Sequence, residues 1–195
     1  QYTSVITEWV TNVAEVVKRR PGSKSSLGAR VYPLEETNLR QGLDVTRWLA
    51  DGVLDFVVPM QYEYNCLDPN MPFEWLIEAA HDNDTSVYGM LQPYVPVQEV
   101  SLQKDSRQNA PLDMMRATAA SYWNRGVDGL YTWYVRWPHG SDERTLLSDI
   151  GDSDLISEKD KRFFVLRRSQ NPDKPSKSAT VASPVCAVSR ITMGT

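Results

Sequence analysis

Near the start of the chain, Val5, Trp9, Val10, Val13, Val16 and Val17 recur at helical spacing and predict a helix over residues 5–17. "RRPG" stops it, with two cations in the last turn and Pro-Gly behind them. The pattern then shortens. "SLGARVYP" is a strand candidate ending at Pro33, and "LEETNLRQG" is a polar loop. "LDVTRWLADG" is a short helix, with Asp44 as its N-cap and Gly52 as its stop. "VLDFVVPMQYEY" follows as a nearly continuous apolar run, the mark of a strand buried on both faces. The cycle repeats with "MPFEWLIEAAHDND" as helix and "TSVYGMLQPYV" as strand. "APLDMMRATAASYWNRG" is the next helix, with Pro111 near its first turn and Gly126 at its end. "VDGLYTWY" is the fourth strand, and "DERTLLSDIGDSDLISEKDKRFF" gives one or two closing helices broken at Gly151.

Strands alternating with helices are the signature of βαβ units and a parallel sheet. The helix-to-strand turns are short, whereas the strand-to-helix connections are longer and more polar. Ligand sites of parallel α/β folds gather at the carboxyl ends of the strands, where those longer connections lie. No strand is followed by a Gly-rich phosphate loop and no G-x-G-x-x-G occurs, which argues against dinucleotides and nucleoside triphosphates. A (β/α)8 barrel fits better than a doubly wound sheet. A complete barrel takes about 250 residues, and four strands after an orphan helix amount to its C-terminal half, about four βα units. The expected organisation is therefore a partial barrel over residues 1–168 and a linker or disordered tail over 169–195. Ser, Pro, Lys and Ala dominate that tail and periodicity fades.

Composition narrows the partners. With 41% hydrophobic and 24% charged residues the chain has the balance of a globular protein. A net charge of −4, mixed along the sequence, leaves no basic surface for nucleic acid. No apolar run reaches the ~18 residues that span a bilayer, and the first residues show no signal-peptide pattern. The chain opens at Gln1 and enters its first helix almost at once, as an internal piece of a longer protein would. Cys66 and Cys186, the two cysteines, stand far apart as unrelated thiols, and His81 and His139 are too isolated to build a metal site. Neither a metal nor a cofactor is expected.

Two stretches have a particular layout. "RQGLDVTRWLADGVLDFVVPMQYEY" joins a Gly-Leu-Asp-Val helix start to a Gly-x-x-Asp strand start. "NRGVDGLYTWY" is followed by "LLSDIGDSDLISEKDKRFFV" with its Gly-Asp, Leu and Lys-Asp-Lys steps. Together, over roughly residues 5–165, they resemble the C-terminal half of bacterial glycoside-hydrolase-like (β/α)8 barrel proteins, relatives of the glycosyl hydrolase-like 10 group. The resemblance implies a barrel, a carbohydrate partner and, often, export. It does not by itself imply turnover.

Glycoside hydrolysis uses two carboxyl groups across the scissile bond. Glu63, just past "VVPMQY", is the candidate catalytic carboxylate at a strand's carboxyl end. Glu35 and Glu36 follow "RVYP" and are weaker candidates as solvated loop acids, while Asp68 in "LDPN" is a turn residue. "VYGMLQPYV" and "GLYTWY" end without an acid, so a noncatalytic carbohydrate-binding or surface protein on a degenerate barrel is the alternative. Rings and amides mark the same ends. Tyr32, Gln61, Tyr62, Gln92, Tyr94, Trp133 and Tyr134 are the candidate substrate-binding residues, because aromatic faces stack on sugar rings and amides bond their hydroxyls. Strand alternation puts Tyr131 and Trp133 on one face and Thr132 and Tyr134 on the other, which leaves open the pair that points inward. His81, at a helix end, is expected in a structural or surface role, and His139, in the loop after the fourth strand, is a weaker candidate for the cleft. Trp9, Trp48, Trp75 and Trp123 are expected in the core, as are Met114 and Met115.

Overall fold

A computed structural model describes residues 2–18, 25–61, 66–96 and 107–165. The elements run α1 (Thr3–Lys18), β1 (Gly28–Val31), α2 (Glu35–Arg40), α3 (Val45–Ala50), β2 (Phe56–Pro59), α4 (Glu74–His81) and β3 (Ser86–Leu91). After them come β4 (Tyr94–Pro96), β5 (Arg107–Asn109), α5 (Leu112–Asn124), β6 (Gly129–Thr132), α6 (Ser141–Ile150) and α7 (Ser153–Ser157). The chain divides into two compact units. Of the described residues, the first comprises 2–18, 25–61, 71–90 and 125–131, and the second comprises 66–70, 91–96, 107–124 and 132–165. Residues 166–195, the expected tail, lie outside the described residues, as does Cys186.

In the first unit, β1, β2, β3 and β6 form one sheet in that order. β1 pairs with β2 and β2 with β3 in parallel. The order never doubles back, so each new strand is added on the same side of the last. The parallel α/β fold expected from the sequence is present. One face of the sheet is sealed: Val31, Val57 and Val87 are buried. α4 packs against β2, and the Trp75 indole N–H of α4 donates to the Pro33 carbonyl at 2.6 Å. On the other face Gly28, Phe56, Tyr88 and Gly129 form a row. The Phe56 and Tyr88 rings meet edge to face at 5.5 Å. A Cβ on Gly28 would sit 2.1 Å from the Phe56 ring, and one on Gly129 would sit 2.6 Å from that of Tyr88. Glycine is required at both strand positions because a neighbour's ring fills the space of a side chain.

Register is fixed by two aspartates at the amino ends of strands. Asp55, just before β2, donates its backbone N–H to the Leu27 carbonyl at 2.8 Å, and its carboxylate accepts the Leu27 N–H at 2.7 Å. Asp128, just before β6, makes the same two bonds with Val87, at 2.9 and 2.7 Å. Each carboxylate also faces the last residue of a helix. Lys18 of α1 stands 3.1 Å from Asp55, and His81 of α4 stands 3.0 Å from Asp128. Cations are favoured at helix carboxyl ends, so one carboxylate ties a helix end and two strands together. His81 thus has the structural role its position suggested.

Several expectations change. "LEETNLRQG" contains α2, with Glu35 and Glu36 in its first turn and Arg40 in its last, charges that suit the helix dipole. Trp9 is not core. α1 presents Thr7 and Ala14 to the protein, and Trp9, 66% exposed, falls on the opposite side with Val5 and Val16. Trp48 is buried with its indole N–H on Thr7 Oγ1 at 2.9 Å, whereas Trp75 and Trp123 are half-buried. Asp44 caps α3 as expected, accepting from Arg47 N–H at 3.2 Å.

In the second unit, "VYGMLQPYV" is not one strand. It breaks at Gln92 and Pro93, and Tyr94–Pro96 pairs antiparallel with Arg107–Asn109. α5 turns Met114, Met115, Ala117, Ala119 and Tyr122 inward and packs against α6 and α7. Arg116 pairs with the buried Asp149 of α6, Arg162 forks onto Asp113 with two bonds of 2.9 Å, and the Trp123 indole bonds the Ile150 carbonyl at 2.9 Å. The closing helical stretch breaks at Gly151 as expected. No helix among the described residues is long and apolar enough to cross a membrane.

The clamps carry a stability prediction. Asp128→Ala should cost about 1–3 kcal/mol, the range for losing hydrogen bonds to a charged group, read from urea unfolding at neutral pH. Asp82→Ala, an exposed turn residue, should cost under about 0.5 kcal/mol. Equal losses would remove the special role of Asp128.

Candidate functional site

Two strands of the first unit end side by side. The Met60 N–H donates to the Val31 carbonyl at 2.8 Å, which carries the β1–β2 ladder past both strands and leaves Tyr32 and Gln61 at neighbouring carboxyl ends. Asn38 holds the first of these. From α2 its buried amide accepts the Tyr32 N–H at 2.8 Å and donates to the Tyr32 carbonyl at 2.8 Å and the Leu34 carbonyl at 3.1 Å. A side-chain amide thus imitates a neighbouring strand. Tyr32 and Gln61 are both half-buried. Counting back by two from Tyr32 gives Arg30, which is exposed with Nη1 3.9 Å from Met60 Sδ, on the same face as Phe56, Tyr88 and Tyr131.

Of the nearby acids, Glu35 accepts from Thr46 Oγ1 at 2.7 Å, and Glu36 is exposed on α2. Glu63 and Tyr62 lie outside the described residues.

In the second unit Gln92 and Trp133 come together. Trp133 N–H donates to the Leu91 carbonyl at 3.1 Å, so the indole-bearing residue lies beside the chain just before Gln92. Gln92 is fully buried. Trp133 directly follows β6, as Met60 directly follows β2. Tyr134 then takes a left-handed φ of 57°. Such a backbone is costly for a bulky residue and recurs where function demands a shape. Its ring meets that of Trp133 at 5.8 Å, edge to face, and is 73% exposed. Although adjacent in sequence, the two residues thus form one aromatic pair.

Tyr94 does not end a parallel strand. It opens β4, its carbonyl accepts the Leu67 N–H at 2.7 Å, and it bridges Cys66. It therefore belongs to the antiparallel pair, which a sequence read as one continuous strand concealed. Asp68 is the turn residue expected: its carboxylate accepts the Asn70 N–H at 2.9 Å, and its carbonyl accepts the Tyr122 hydroxyl at 2.7 Å.

Two further concavities are lined by other residues. A depression of about 330 Å³ beside α1 includes Thr11, Glu15, Lys18 and Asp51, and lies near the Lys18–Asp55 pair at the amino end of β2. One of about 250 Å³ in the second unit is lined by Trp123, Ser153, Ser157, Lys159, Lys161 and Phe163 among others. There Lys161 donates to the carbonyls of Ile156, Ser157 and Lys159, closing the carboxyl end of α7. Burial pulls its pKa below the ordinary lysine value, the Arg116 charge adds to that, and Asp160 acts against it. Neither concavity is lined by a strand-end candidate. Among the described residues no group of three or more His, Cys, Asp or Glu gathers as a metal site.

Sequence alone passed over Asn38, Arg30 and Tyr88. Alternation back from Tyr32 and Gln92 was a signal for the last two; Asn38, in a stretch read as loop, gave none. Compared with models of known protein families and with curated proteins, the chain matches none.

Two substitutions test this geometry. Asn38→Ala removes the three bonds of a buried amide and should destabilise by about 2–3 kcal/mol; a loss under about 0.5 kcal/mol would show that the Tyr32 backbone is held by other means. Tyr134→Gly removes the left-handed cost of roughly 1–2 kcal/mol at an exposed side chain, against the greater backbone freedom of glycine in the unfolded chain. Its melting temperature should therefore stay level or rise; a clear fall would mean that the ring contributes packing.

Proposed function

We propose that the chain is the C-terminal portion of a (β/α)8 barrel of the glycoside-hydrolase-like kind, and that it binds an oligo- or polysaccharide at the carboxyl ends of its strands. The unreversed strand order supports the barrel. Parallel crossovers are right-handed, so strands added always on one side bring their helices to one face, as in a barrel wall. A doubly wound sheet reverses its order and binds at the switch, and this order has no switch. Brackets of helix end, aspartate and strand recur at β2 and β6, as in a fold built by repetition.

One observation carries the carbohydrate reading: the Trp133–Tyr134 pair, set just past β6 with Tyr134 on a left-handed backbone. Aromatic faces take the C–H faces of pyranose rings, and the Tyr hydroxyl and Trp indole N–H add hydrogen bonds. Binding is the function carried by the described residues. Hydrolysis would add Glu63 as one of the two carboxyl groups such chemistry needs.

Isothermal titration with cellohexaose, xylohexaose and chitohexaose tests the proposal. Trp133→Ala should weaken the bound sugar about tenfold, equivalent to about 1.4 kcal/mol, with the melting temperature nearly unchanged. A large loss of stability with affinity intact would make Trp133 a packing residue. For the hydrolytic form, Glu63→Gln should abolish turnover and keep binding; unchanged turnover would clear Glu63 of any catalytic part.

A further inference from the structure

Beyond Tyr134 the chain carries a second aromatic feature that the strand-end site does not use. Trp137 is 81% exposed. A ring of that size normally buries most of its surface, and a slack loop would fold it onto the nearest apolar neighbour. Instead the segment behind it is tied at several points. The His139 ring meets the Trp137 ring edge to face at 5.0 Å and 73°. The His139 carbonyl accepts Arg144 Nε at 3.2 Å. Gly140 donates its N–H to the Glu143 carboxylate at 2.9 Å, and its carbonyl accepts the Arg144 N–H at 3.2 Å as the first bond of α6. The indole is thus braced from one side by a residue anchored to a helix start, and its surface stays bare.

We propose that Trp137, braced by His139, is a second stacking platform for neutral pyranose rings, working with Tyr134 on one oligosaccharide. This rests on the carbohydrate reading of the strand ends. A platform fixed before binding loses little freedom on binding, which is what a weak, largely apolar sugar contact needs. The neutral class follows from the surroundings: exposed Arg136 and Arg144 are matched by Asp142 and Glu143, so no net charge selects for or against an acidic sugar. Three residues on from Tyr134, Trp137 has its Cα within about 11 Å of the Tyr134 Cα, inside the span of a short oligosaccharide. The ligand is accordingly a chain of sugars presenting C–H faces, bound by two rings.

The test uses the full chain with cellohexaose, xylohexaose and chitohexaose, and polygalacturonate as the charged counterpart. Wild type, Trp137→Ala, Trp137→Phe and Trp133→Ala are compared by titration calorimetry and thermal melting. Trp137→Ala should weaken the best of the neutral hexasaccharides about tenfold without lowering the melting temperature, and Trp137→Phe should recover most of the loss. If wild type binds and Trp133→Ala weakens it while Trp137→Ala does not, the platform falls and the strand-end site stands. If wild type binds none of the four sugars, both fall. Preference for polygalacturonate over all three neutral sugars overturns the neutral class.

Discussion

The first unit depends on a carboxylate placed where a parallel strand begins. Parallel strands have no hairpin to set their register, and a slip of one residue would turn every side chain to the wrong face. Asp55 and Asp128 each remove that freedom by bonding one residue of the neighbouring strand's chain through both backbone and side chain. The same carboxylates draw in Lys18 and His81, so the helix that leads into a strand is fixed by the bond that sets that strand. The Gly28–Phe56 and Tyr88–Gly129 contacts then follow, since rings can lie over glycines only in this register.

With the amino ends fixed, the carboxyl ends are free to vary, and they are built by different means. Asn38 holds the end of β1 with an amide in place of a strand. At the end of β6 a left-handed Tyr134 sets two adjacent rings together. Stability gathers at one end of the strands and irregular, ring-bearing geometry at the other, the division that parallel α/β proteins use to hold ligands.

Local pattern made much of this legible. The helical spacing of α1 and α5, the Asp44 cap, the Gly151 break and all four parallel strands follow from periodicity and turn residues near at hand. What stayed hidden depends on distant partners. The clamps join residues 28 and 41 positions apart, and the β4–β5 pair joins Tyr94 to Asn109 across a connection with no periodic signal. Trp9 misled because α1 carries apolar residues on two sides, and spacing cannot tell which side is buried. The Trp133–Tyr134 pair was recognised as a candidate, but not how its rings meet, because period-two counting assumes an extended backbone and Tyr134 is left-handed. Glu63 and Tyr62 lie outside the described residues, so the acid of the sequence-based expectation stands as a proposal.

The six tryptophans make the central claim measurable in one experiment. Trp48, Trp75 and Trp123 have their indole N–H groups bonded to Thr7, Pro33 and Ile150, and Trp9 stands exposed on α1. In a nitrogen–proton NMR titration of the full chain with cellohexaose, xylohexaose or chitohexaose, binding at the strand ends should move the indole signals of Trp133 and Trp137 and leave those four in place. Movement of Trp9 alone, or no movement with any of the three sugars, would contradict a carbohydrate site at the carboxyl ends of the strands.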